Sequence, residues 1–347
     1  MPVDMKQLIA QLAEGEILSR ETTRNAFLYM MNGDATGPQI GAFLIALRVR
    51  GERLDEITGA VEAMRSKALG IKAPKGSVDT CGTGCDTAGT YNISTAAAIV
   101  LAACGVPVAK HGNRAVSSKS GSADVLETLG VNINADMAIV KNCLKSLGIS
   151  FLMATRHHSA ARHVGPARAS LGTRTIFNLI GPLSNPAGTK YQVIGVYDQK
   201  WTRPMAEVLG ALGSECVWVV TGSDGLDEIT ITGETHVAEY KNGKVKEFII
   251  SPEDAGLERA SLEQIEGGDP EYNANAIWDI LNGKKNAYRD IVLLNASAAL
   301  VVSNNATDLK DGVRIATKAI DTGIASEKLK KWIKLSNQKH PEPEENE

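Results

Sequence analysis

The fold is best predicted from the stretch Val78-Asp79-Thr80-Cys81-Gly82-Thr83-Gly84-Cys85-Asp86, where a short apolar run enters a glycine-rich turn. Asn92-Ile93-Ser94-Thr95 follows and opens an alanine-rich helix. Backbone N–H groups, the helix dipole and nearby hydroxyls at such a helix start attract anions. The pattern therefore predicts a phosphate site, with a plain capped turn as the alternative. Neither a dinucleotide fingerprint nor a Walker loop fits, because Thr87 replaces the last glycine and no Gly-Lys-Ser/Thr occurs.

Further strands flank this stretch. Short runs rich in β-branched residues alternate with helical segments, which indicates a largely parallel sheet. The predicted strands cover residues 77–80, 106–109, 149–153, 191–197 and 216–221. In residues 234–250, Asn242-Gly243 separates two alternating runs and predicts a β-hairpin. The fold class is therefore α/β with a mainly parallel central sheet.

The two ends of the chain differ from this middle part. Apolar residues at helical spacing, with glycine stops, predict a small helical domain over residues 1–72. Residues 73–335 form the predicted larger α/β domain, which returns to helices after residue 261. Residues 336–347 are polar and acidic, and we expect them to form a disordered tail.

Composition narrows the functional classes. The 347 residues carry a formal net charge of -3, so the whole chain is not built to attract nucleic acid or an anionic membrane. Five cysteines, an odd number without disulfide or zinc spacing, favour a reducing cytoplasm. The sequence contains neither the apolar core of a signal peptide nor an uncharged apolar run of about 18 residues.

A second constellation extends from Lys110 to Asp124. It contains Lys110-His111-Gly112-Asn113-Arg114-Ala115-Val116-Ser117-Ser118-Lys119-Ser120-Gly121-Ser122 and follows the predicted strand at 106–109. Cations and hydroxyls on a loop that leads into a helix start suit a second phosphate or a diphosphate. A solvated basic loop is the alternative. Two anion sites on neighbouring strands indicate a ligand with separated phosphates.

Other titratable residues cluster in two places. Asp227 and Glu228 follow a predicted strand through a turn, and paired carboxylates there suit magnesium, although such a pair on a surface loop is ordinarily just solvated. A zinc interpretation of His157, His158 and His163 is disfavoured. No Glu or Cys accompanies them in a suitable register, and adjacent helical side chains diverge by about 100°.

Along nearly its full length the chain resembles anthranilate phosphoribosyltransferases. The resemblance rests on Gly33-Asp34-Ala35-Thr36, the glycine loop, Asn92-Ile93-Ser94-Thr95, Lys110-His111-Gly112-Asn113-Arg114, Arg168-Ala169-Ser170-Leu171-Gly172, Arg174-Thr175-Ile176-Phe177-Asn178 and Gly181-Pro182-Leu183-Ser184-Asn185-Pro186. It implies a helical domain joined by residues 165–187 beside the α/β domain, and a homodimer through the helical domain. The chain departs from the family at Cys85, where the family has glycine, and we expect the side chain at this position to weaken pyrophosphate binding.

The resemblance also implies site residues. Those for phosphoribosyl pyrophosphate are Gly82, Cys85, Asp86, Thr90, Asn92, Ile93, Ser94, Thr95, Lys110, His111, Gly112, Asn113, Arg114, Ala115, Val116, Ser117, Ser118 and Ser122. Those for anthranilate are Gly82, His111, Asn113, His158 and Arg168. Ser94, Asp227 and Glu228 would hold magnesium, with two ions per subunit, and Lys110 would stabilise the transition state.

Two other functions remain as alternatives. A pyrimidine nucleoside phosphorylase has a similar architecture, but the stretch from Arg168 to Asn185 and the Asp227-Glu228 pair favour the transferase. A catalytically silent relative would bind phosphorylated or nucleic-acid ligands, and its mark would be loss of the acidic pair or a basic surface stripe. The acidic pair is present and the net charge is negative.

Overall fold

The structure is a computed structural model that describes residues 3–84, 89–115 and 119–338. The helical start consists of α1 (Met5–Ala13), α2 (Arg20–Asn32), α3 (Gly37–Arg50) and α4 (Leu54–Lys67). Asp4, Ser19 and Thr36 cap the first three helices with their side chains, which satisfies backbone N–H groups at each start. The helices present their apolar faces to one shared core.

Within the described residues, one seven-stranded sheet has the order β3-β2-β1-β4-β5-β6-β7. The strands are β1 (Val78–Gly82), β2 (Val108–Gly112), β3 (Ile149–Met153), β4 (Tyr191–Gly195), β5 (Cys216–Gly222), β6 (Thr235–Lys241) and β7 (Lys244–Ile250). The first five run parallel, whereas β6 and β7 are antiparallel. Asn242 and Gly243 have φ of 51° and 77° in the turn, so the predicted hairpin is confirmed.

Helices cover the sheet. Between the strands lie α5 (Ile93–Ala103), α6 (Ser122–Thr128), α7 (Met137–Asn142), α8 (Ala154–His157), α9 (Gly165–Leu171), α10 (Ile176–Leu183) and α11 (Thr202–Ala211). After the hairpin lie α12 (Pro270–Leu281), α13 (Ala287–Val302), α14 (Leu309–Asp321) and α15 (Ile324–Ser336). The predicted α/β class with a mainly parallel sheet and a helical start is confirmed.

The second strand differs from its prediction. It begins and ends later than residues 106–109, so Lys110 and His111 are strand residues and not loop residues. Both are buried, because Lys110 and His111 pair with Phe151 and Leu152 of β3 while β1 flanks the other side. The charge of Lys110 favours a loop position. Inside the sheet, however, the neighbouring strands hold its backbone and the buried carboxylate of Asp79 offsets its charge.

The ends of other strands shift as well. β1 and β5 continue to Gly82 and Gly222, beyond the predicted 77–80 and 216–221. β4 ends at Gly195, short of residue 197. A Cβ at Gly195 would lie 1.5 Å from the backbone oxygen of Asp227, so the segment after β5 closes directly over the strand end. Only glycine permits this approach.

The segment around α9 and α10 packs on the helical start. The ring of Phe177 lies 5.4 Å from that of Phe27, and Arg65 donates to the Leu183 carbonyl oxygen at 2.9 and 2.6 Å. A second apolar cluster fills the space between the opposite sheet face, α5 and the C-terminal helices. Among the described residues, no helix combines the length and apolar character needed to cross a membrane.

Candidate functional site

The turn after β1 is tied to the acidic pair. Asp227 is buried, and its Oδ2 accepts from the Gly84 N–H at 2.6 Å and from the Thr83 hydroxyl at 3.1 Å. A Cβ at Gly82 would lie 2.5 Å from the same carboxylate oxygen. The glycine therefore lets a carboxylate approach the backbone of the turn, and β1 and the segment after β5 meet at one edge of the sheet.

Glu228 occupies the start of α5. Its Oε1 accepts from the backbone N–H of Ser94 at 3.1 Å. Ile93 donates its own N–H to the Tyr91 carbonyl oxygen at 2.9 Å, and the side chains of Ile93 and Thr95 are buried. The helix start thus holds an internal carboxylate, which agrees with its expected preference for negative charge.

Lys110 reaches the same place from β2. Its Nζ donates to the Thr80 carbonyl oxygen at 2.5 Å and lies 3.4 Å from the Ser94 Oγ. The side chain is 1% exposed. Lys110, Ser94 and the Asp227-Glu228 pair come from three separate segments. Ser94 joins two of them, because its hydroxyl lies by the Lys110 Nζ and its N–H donates to Glu228.

A buried carboxylate lies beneath this cation. Asp79 Oδ1 accepts from the His111 N–H at 3.0 Å, and its Oδ2 accepts from the Asn185 side chain at 2.7 Å. Burial raises the pKa of Asp79, whereas the Lys110 charge and these hydrogen bonds act in the opposite direction. Asn185 also donates to the Ala109 carbonyl oxygen at 2.8 Å, so it joins β1 and β2. We call Asp79, Lys110, His111 and Asn185 the buried floor.

Two histidines predicted to line the anthranilate path lie together. The rings of His111 and His158 are 5.2 Å apart and nearly perpendicular. Burial lowers the pKa of His158 to about 4, with the neighbouring His157 as a further cause, and burial lowers the pKa of His111 well below its usual value. Both rings are therefore neutral at pH 7 and can line a site for a planar aromatic acid.

The histidines do not form a metal site. His157 places its Nδ1 2.5 Å from the Leu69 carbonyl oxygen, and His163 lies in a separate exposed turn. Among residues 3–84, 89–115 and 119–338, no group of three or more His, Cys, Asp or Glu side chains is arranged to hold a metal. The disfavoured zinc interpretation thus finds no support there.

The predicted carboxylate-binding pair lies on different elements. Arg168 is half-buried on α9, with its guanidinium 4.8 Å from the centre of the Phe177 ring. Asn113 directly follows β2, and its backbone oxygen accepts from the Ser122 hydroxyl at 3.2 Å and from the Ala123 N–H at 3.1 Å. Asn113 therefore ties the end of β2 to the start of α6.

Arg114 is engaged elsewhere. Its guanidinium pairs with Asp124 at 3.0 Å and with Glu127 at 2.9 Å on α6, and 45% of its side chain is exposed. The Asp124 Oδ2 also accepts from the N–H groups of Ala115 and Gly121. We call Arg114, Asp124 and Glu127 the exposed margin. In this arrangement Arg114 stabilises α6 and the preceding loop.

The remaining predicted residues fall into two groups. Thr90 forms a bridge with Glu266, and Gly112 packs so closely on Ser122 that a Cβ would lie 2.3 Å from its hydroxyl. Five predicted residues lie outside the described part of the chain: Cys85, Asp86, Val116, Ser117 and Ser118. The predicted consequence of Cys85 for pyrophosphate binding therefore stays a prediction.

The sequence prediction missed several residues of the site. Asp79 and Asn185 stand inside quoted motifs but received no role, although a carboxylate in the middle of an apolar strand is a visible signal. Asn273 contacts Asn92 from α12, far along the chain, and no local motif marks it. Its position becomes evident only when the C-terminal helices fold back onto α5.

The donor set at the sheet edge fits magnesium. The carboxylates of Asp227 and Glu228 are adjacent in the chain, and Glu228 accepts from the N–H of Ser94, whose hydroxyl is the third oxygen ligand of the set. Magnesium prefers one or two carboxylates with substrate phosphate oxygens and water, and it rarely takes a complete protein cage. The oxygen-only chemistry and the small number of ligands match that preference.

The chain is similar to known proteins over almost its whole length. Two sequence profiles match it, the glycosyl transferase family helical bundle domain at residues 6–68 and the glycosyl transferase family a/b domain at residues 74–326. The anthranilate phosphoribosyltransferase of Rhodospirillum rubrum is 59% identical, with 96% of each chain covered.

Two solved structures share the fold. The anthranilate phosphoribosyltransferase of Thermus thermophilus has a TM-score of 0.90 at 40% identity, covering 95% of this chain and 99% of that one. The Saccharomyces cerevisiae enzyme in complex with phosphoribosyl pyrophosphate (PRPP) and Mg has a TM-score of 0.87 at 28% identity, covering 96% and 97%.

Proposed function

The chain belongs to the anthranilate phosphoribosyltransferase family, and from this premise we propose how its buried floor and sheet edge carry out the family's reaction. The enzyme transfers the 5-phosphoribosyl group of PRPP to the amine of anthranilate. The products are N-(5-phosphoribosyl)anthranilate and pyrophosphate, and the reaction is a step of tryptophan biosynthesis. The comparisons favour this transferase over the phosphorylase and the silent relative.

The roles assigned to the residues of the phosphate site rest on the contact between Lys110 and Ser94. A leaving pyrophosphate gains negative charge as the ribose carbon develops oxocarbenium character, and a fixed buried cation stabilises that charge. The Lys110 Nζ is held by the Thr80 carbonyl oxygen next to the Ser94 hydroxyl at the start of α5. The phosphate-binding residues are those given in the sequence analysis, and their use in this chain is part of the proposal. Arg114 would contribute only its backbone, since its guanidinium pairs with Asp124 and Glu127.

Magnesium, when bound, neutralises part of the charge on the pyrophosphate group, and Ser94, Asp227 and Glu228 would hold it. Use of magnesium accords with the yeast relative that was solved with Mg. A count of two ions per subunit is part of the proposal. Because Glu228 also caps α5, its carboxylate joins the metal site to the helix start that would bind phosphate.

Anthranilate would be held by the residues that the family resemblance assigns to it. Arg168 and Asn113 supply the charged fork and the amide that suit a planar carboxylate, while His111 and His158 offer neutral rings beside it. Holding the amine near the ribose carbon converts a bimolecular reaction of two substrates into an effectively unimolecular step within one complex. The anthranilate nitrogen itself is the nucleophile, so no protein nucleophile is required.

The proposal extends to organisation and location. The spans of the two matching profiles support a helical domain over residues 1–72 and an α/β domain over 73–335. The contacts of Phe177 with Phe27 and of Leu183 with Arg65 support the joining of residues 165–187 to the helical domain. A homodimer through the helical domain is supported by exposed apolar side chains, with Val49 82% and Ile17 61% exposed. Sedimentation of the native protein and of Val49→Glu tests the homodimer, and a monomeric native protein would contradict it.

The free cysteines among the described residues support a cytoplasmic location.

One assay tests the reaction directly. The protein is mixed with anthranilate, PRPP and magnesium, and the loss of anthranilate fluorescence is followed together with pyrophosphate release. We expect both signals to progress at the same rate. Phosphate-dependent cleavage of pyrimidine nucleosides, measured in parallel, is expected to be absent. The opposite pattern would establish the phosphorylase alternative.

A combined variant tests the metal assignment. Asp227→Asn with Glu228→Gln keeps side-chain shape but removes the charges of the proposed metal ligands, so turnover should fall by about 100-fold or more at any magnesium concentration. Glu234→Gln, a nearby exposed carboxylate, is the matched control and should keep normal turnover. Near-normal activity of the combined variant across a magnesium titration would contradict the assignment.

A further inference from the structure

The side chain of Asn92 is a junction between two loops and a distant helix. Its Nδ2 donates to the Ser120 carbonyl oxygen at 3.1 Å, and its Oδ1 accepts from the Ser120 hydroxyl at 3.0 Å. The same Oδ1 accepts from the Asn273 Nδ2 at 2.9 Å. Asn92 precedes α5 without capping it through its side chain, so its amide instead joins the two predicted phosphate loops.

The hydrogen-bond directions in this junction support one another. The backbone N–H of Gly268 can only donate, and it donates to the Asn273 Oδ1 at 2.8 Å. The Nδ2 of Asn273 must therefore face Asn92, which turns the Asn92 oxygen toward α12 and its NH₂ toward the Ser120 carbonyl. Asn273 is 1% exposed, so loss of its amide would leave Asn92 without that donor and without easy access to water.

The backbone before Asn92 is held by the segment that directly precedes Asn273. Tyr91 donates its N–H to the Ile265 carbonyl oxygen at 3.2 Å, and Gly267 donates to the Gly89 carbonyl oxygen at 2.8 Å. A Cβ at Gly267 would lie 2.5 Å from the Thr90 carbonyl group, so the two segments are in close contact. The segment from Ile265 to Asn273 thus lines the outer side of the loop before α5.

Aromatic stacking adds rigidity to this contact. The Tyr91 ring stacks on Tyr288 at 4.2 Å and on Tyr272 at 5.7 Å between centroids. The hydroxyl of Tyr288 donates to the Asn92 backbone oxygen at 3.4 Å. Tyr272 and Asn273 are neighbours at the start of α12. Asp269 caps this helix, because its side chain accepts from the Tyr272 N–H at 2.8 Å. The loop is therefore anchored by helices that contribute no phosphate motif.

We propose that Asn273 is a positioning residue for the PRPP site, acting through Asn92 and Ser120 and without contact to the substrate. It holds residues 89–92 before α5 and residues 119–121 before α6 in one relative arrangement, so that groups of both segments can bind the separated phosphates of one ligand. Preorganisation of this kind lowers the entropic penalty of binding. The inference rests on the proposed function, because it concerns binding of the same substrate.

Two variants separate the parts of the junction. Asn273→Ala removes both hydrogen bonds of the side chain. Asn273→Asp keeps an oxygen for the Gly268 N–H but replaces the NH₂ that faces Asn92. Ser326→Ala is the matched control, because its buried hydroxyl bonds Asn282 at 3.1 Å beyond the other end of α12, away from the loops.

Steady-state kinetics and calorimetric titration with PRPP and magnesium provide the test. Both Asn273 variants should raise the KM and the Kd for PRPP by roughly three- to ten-fold, the size of one net hydrogen bond, with the anthranilate KM unchanged. Ser326→Ala should lose comparable thermal stability but keep both constants. Calorimetry on Asn273→Asp suffices if Asn273→Ala does not fold.

Other results would overturn the inference. An unchanged Kd for PRPP in the Asn273 variants, or equal increases in both KM values, would assign Asn273 a purely structural role. The native protein is measured first in every assay. Absence of turnover by the native protein would refute the proposed function, whereas normal native turnover with unaffected Asn273 variants would refute only the positioning role.

Discussion

The buried floor and the exposed margin each contain one cation from β2 or the residues just after it, but they use charge in opposite ways. Lys110 lies inside β2 at 1% exposure, whereas Arg114, four residues later, is 45% exposed and pairs with α6. Both are cations of one sequence motif. In the floor each charge lacks water and acts strongly on its neighbours, while in the margin solvent screens the ion pairs. Under the proposed mechanism, burial and not charge therefore distinguishes Lys110, the cation assigned to the leaving group, from Arg114.

The largest expected effect comes from removing the floor's cation. Lys110→Met should lower kcat by about 100-fold or more, because the departing pyrophosphate loses a fixed positive charge. The free energy of unfolding should also fall, since Asp79 would remain buried without its compensating charge. Steady-state kinetics and urea denaturation measure the two effects.

A second substitution separates stability from catalysis at this position. Lys110→Met combined with Asp79→Asn removes the buried carboxylate as well, so stability should recover in part while kcat stays low. Recovery of kcat in the double variant would contradict a direct role of the lysine in the reaction.

The next effect concerns Arg168, which is intermediate in burial between the two regions. Arg168→Ala should raise the anthranilate KM by about ten-fold or more, because loss of a charge-assisted hydrogen bond costs about 1.5 to 3 kcal/mol. The PRPP KM should change far less. Equal changes in the two constants would mean that Arg168 supports the helical segment through Phe177 instead.

A smaller effect is the dependence of the free energy of unfolding on pH. The pKa of His158 falls from 6.5 to about 4 in the folded protein. Between these pH values the unfolded chain binds more protons than the folded protein does. The contribution of neutral His158 to the free energy of unfolding is therefore fully present above pH 6.5 and is lost as pH falls toward 4. The loss is on the order of 3 kcal/mol.

Urea denaturation between pH 7.5 and 4.5 measures this dependence. His158→Asn should flatten the profile relative to the native protein, whereas replacement of the exposed His163 by Asn should leave it unchanged. Parallel profiles for the native protein and His158→Asn would show that other groups cause the loss.

The smallest effect is expected at the margin. Arg114→Gln breaks two exposed ion pairs and should change kcat by less than about two-fold, since such pairs contribute little in water. Added salt should reduce even this difference. A fall in kcat as large as that of Lys110→Met would show that Arg114 leaves α6 to contact the substrate.

The sequence by itself determined the parallel sheet, the hairpin and the motifs of both loops. Local patterns were sufficient because strand alternation, Asn242-Gly243 and the strand–glycine–helix order depend on neighbouring residues. The pairing of Asp227 with Gly84, and of Glu228 with Ser94, depended on tertiary structure, because the contacting residues are 143 and 134 positions apart.

Tertiary structure also decided which polar residues are buried. Lys110 was predicted on a loop, since a lysine inside a sheet is unfavourable unless a compensating group lies nearby. Asp79 provides that compensation from β1 and is itself held by Asn185, and Asn273 reaches Asn92 from a helix 181 positions away. Such partners are joined only by folding, because solvation and Coulomb energy depend on distance in space and not on distance along the chain.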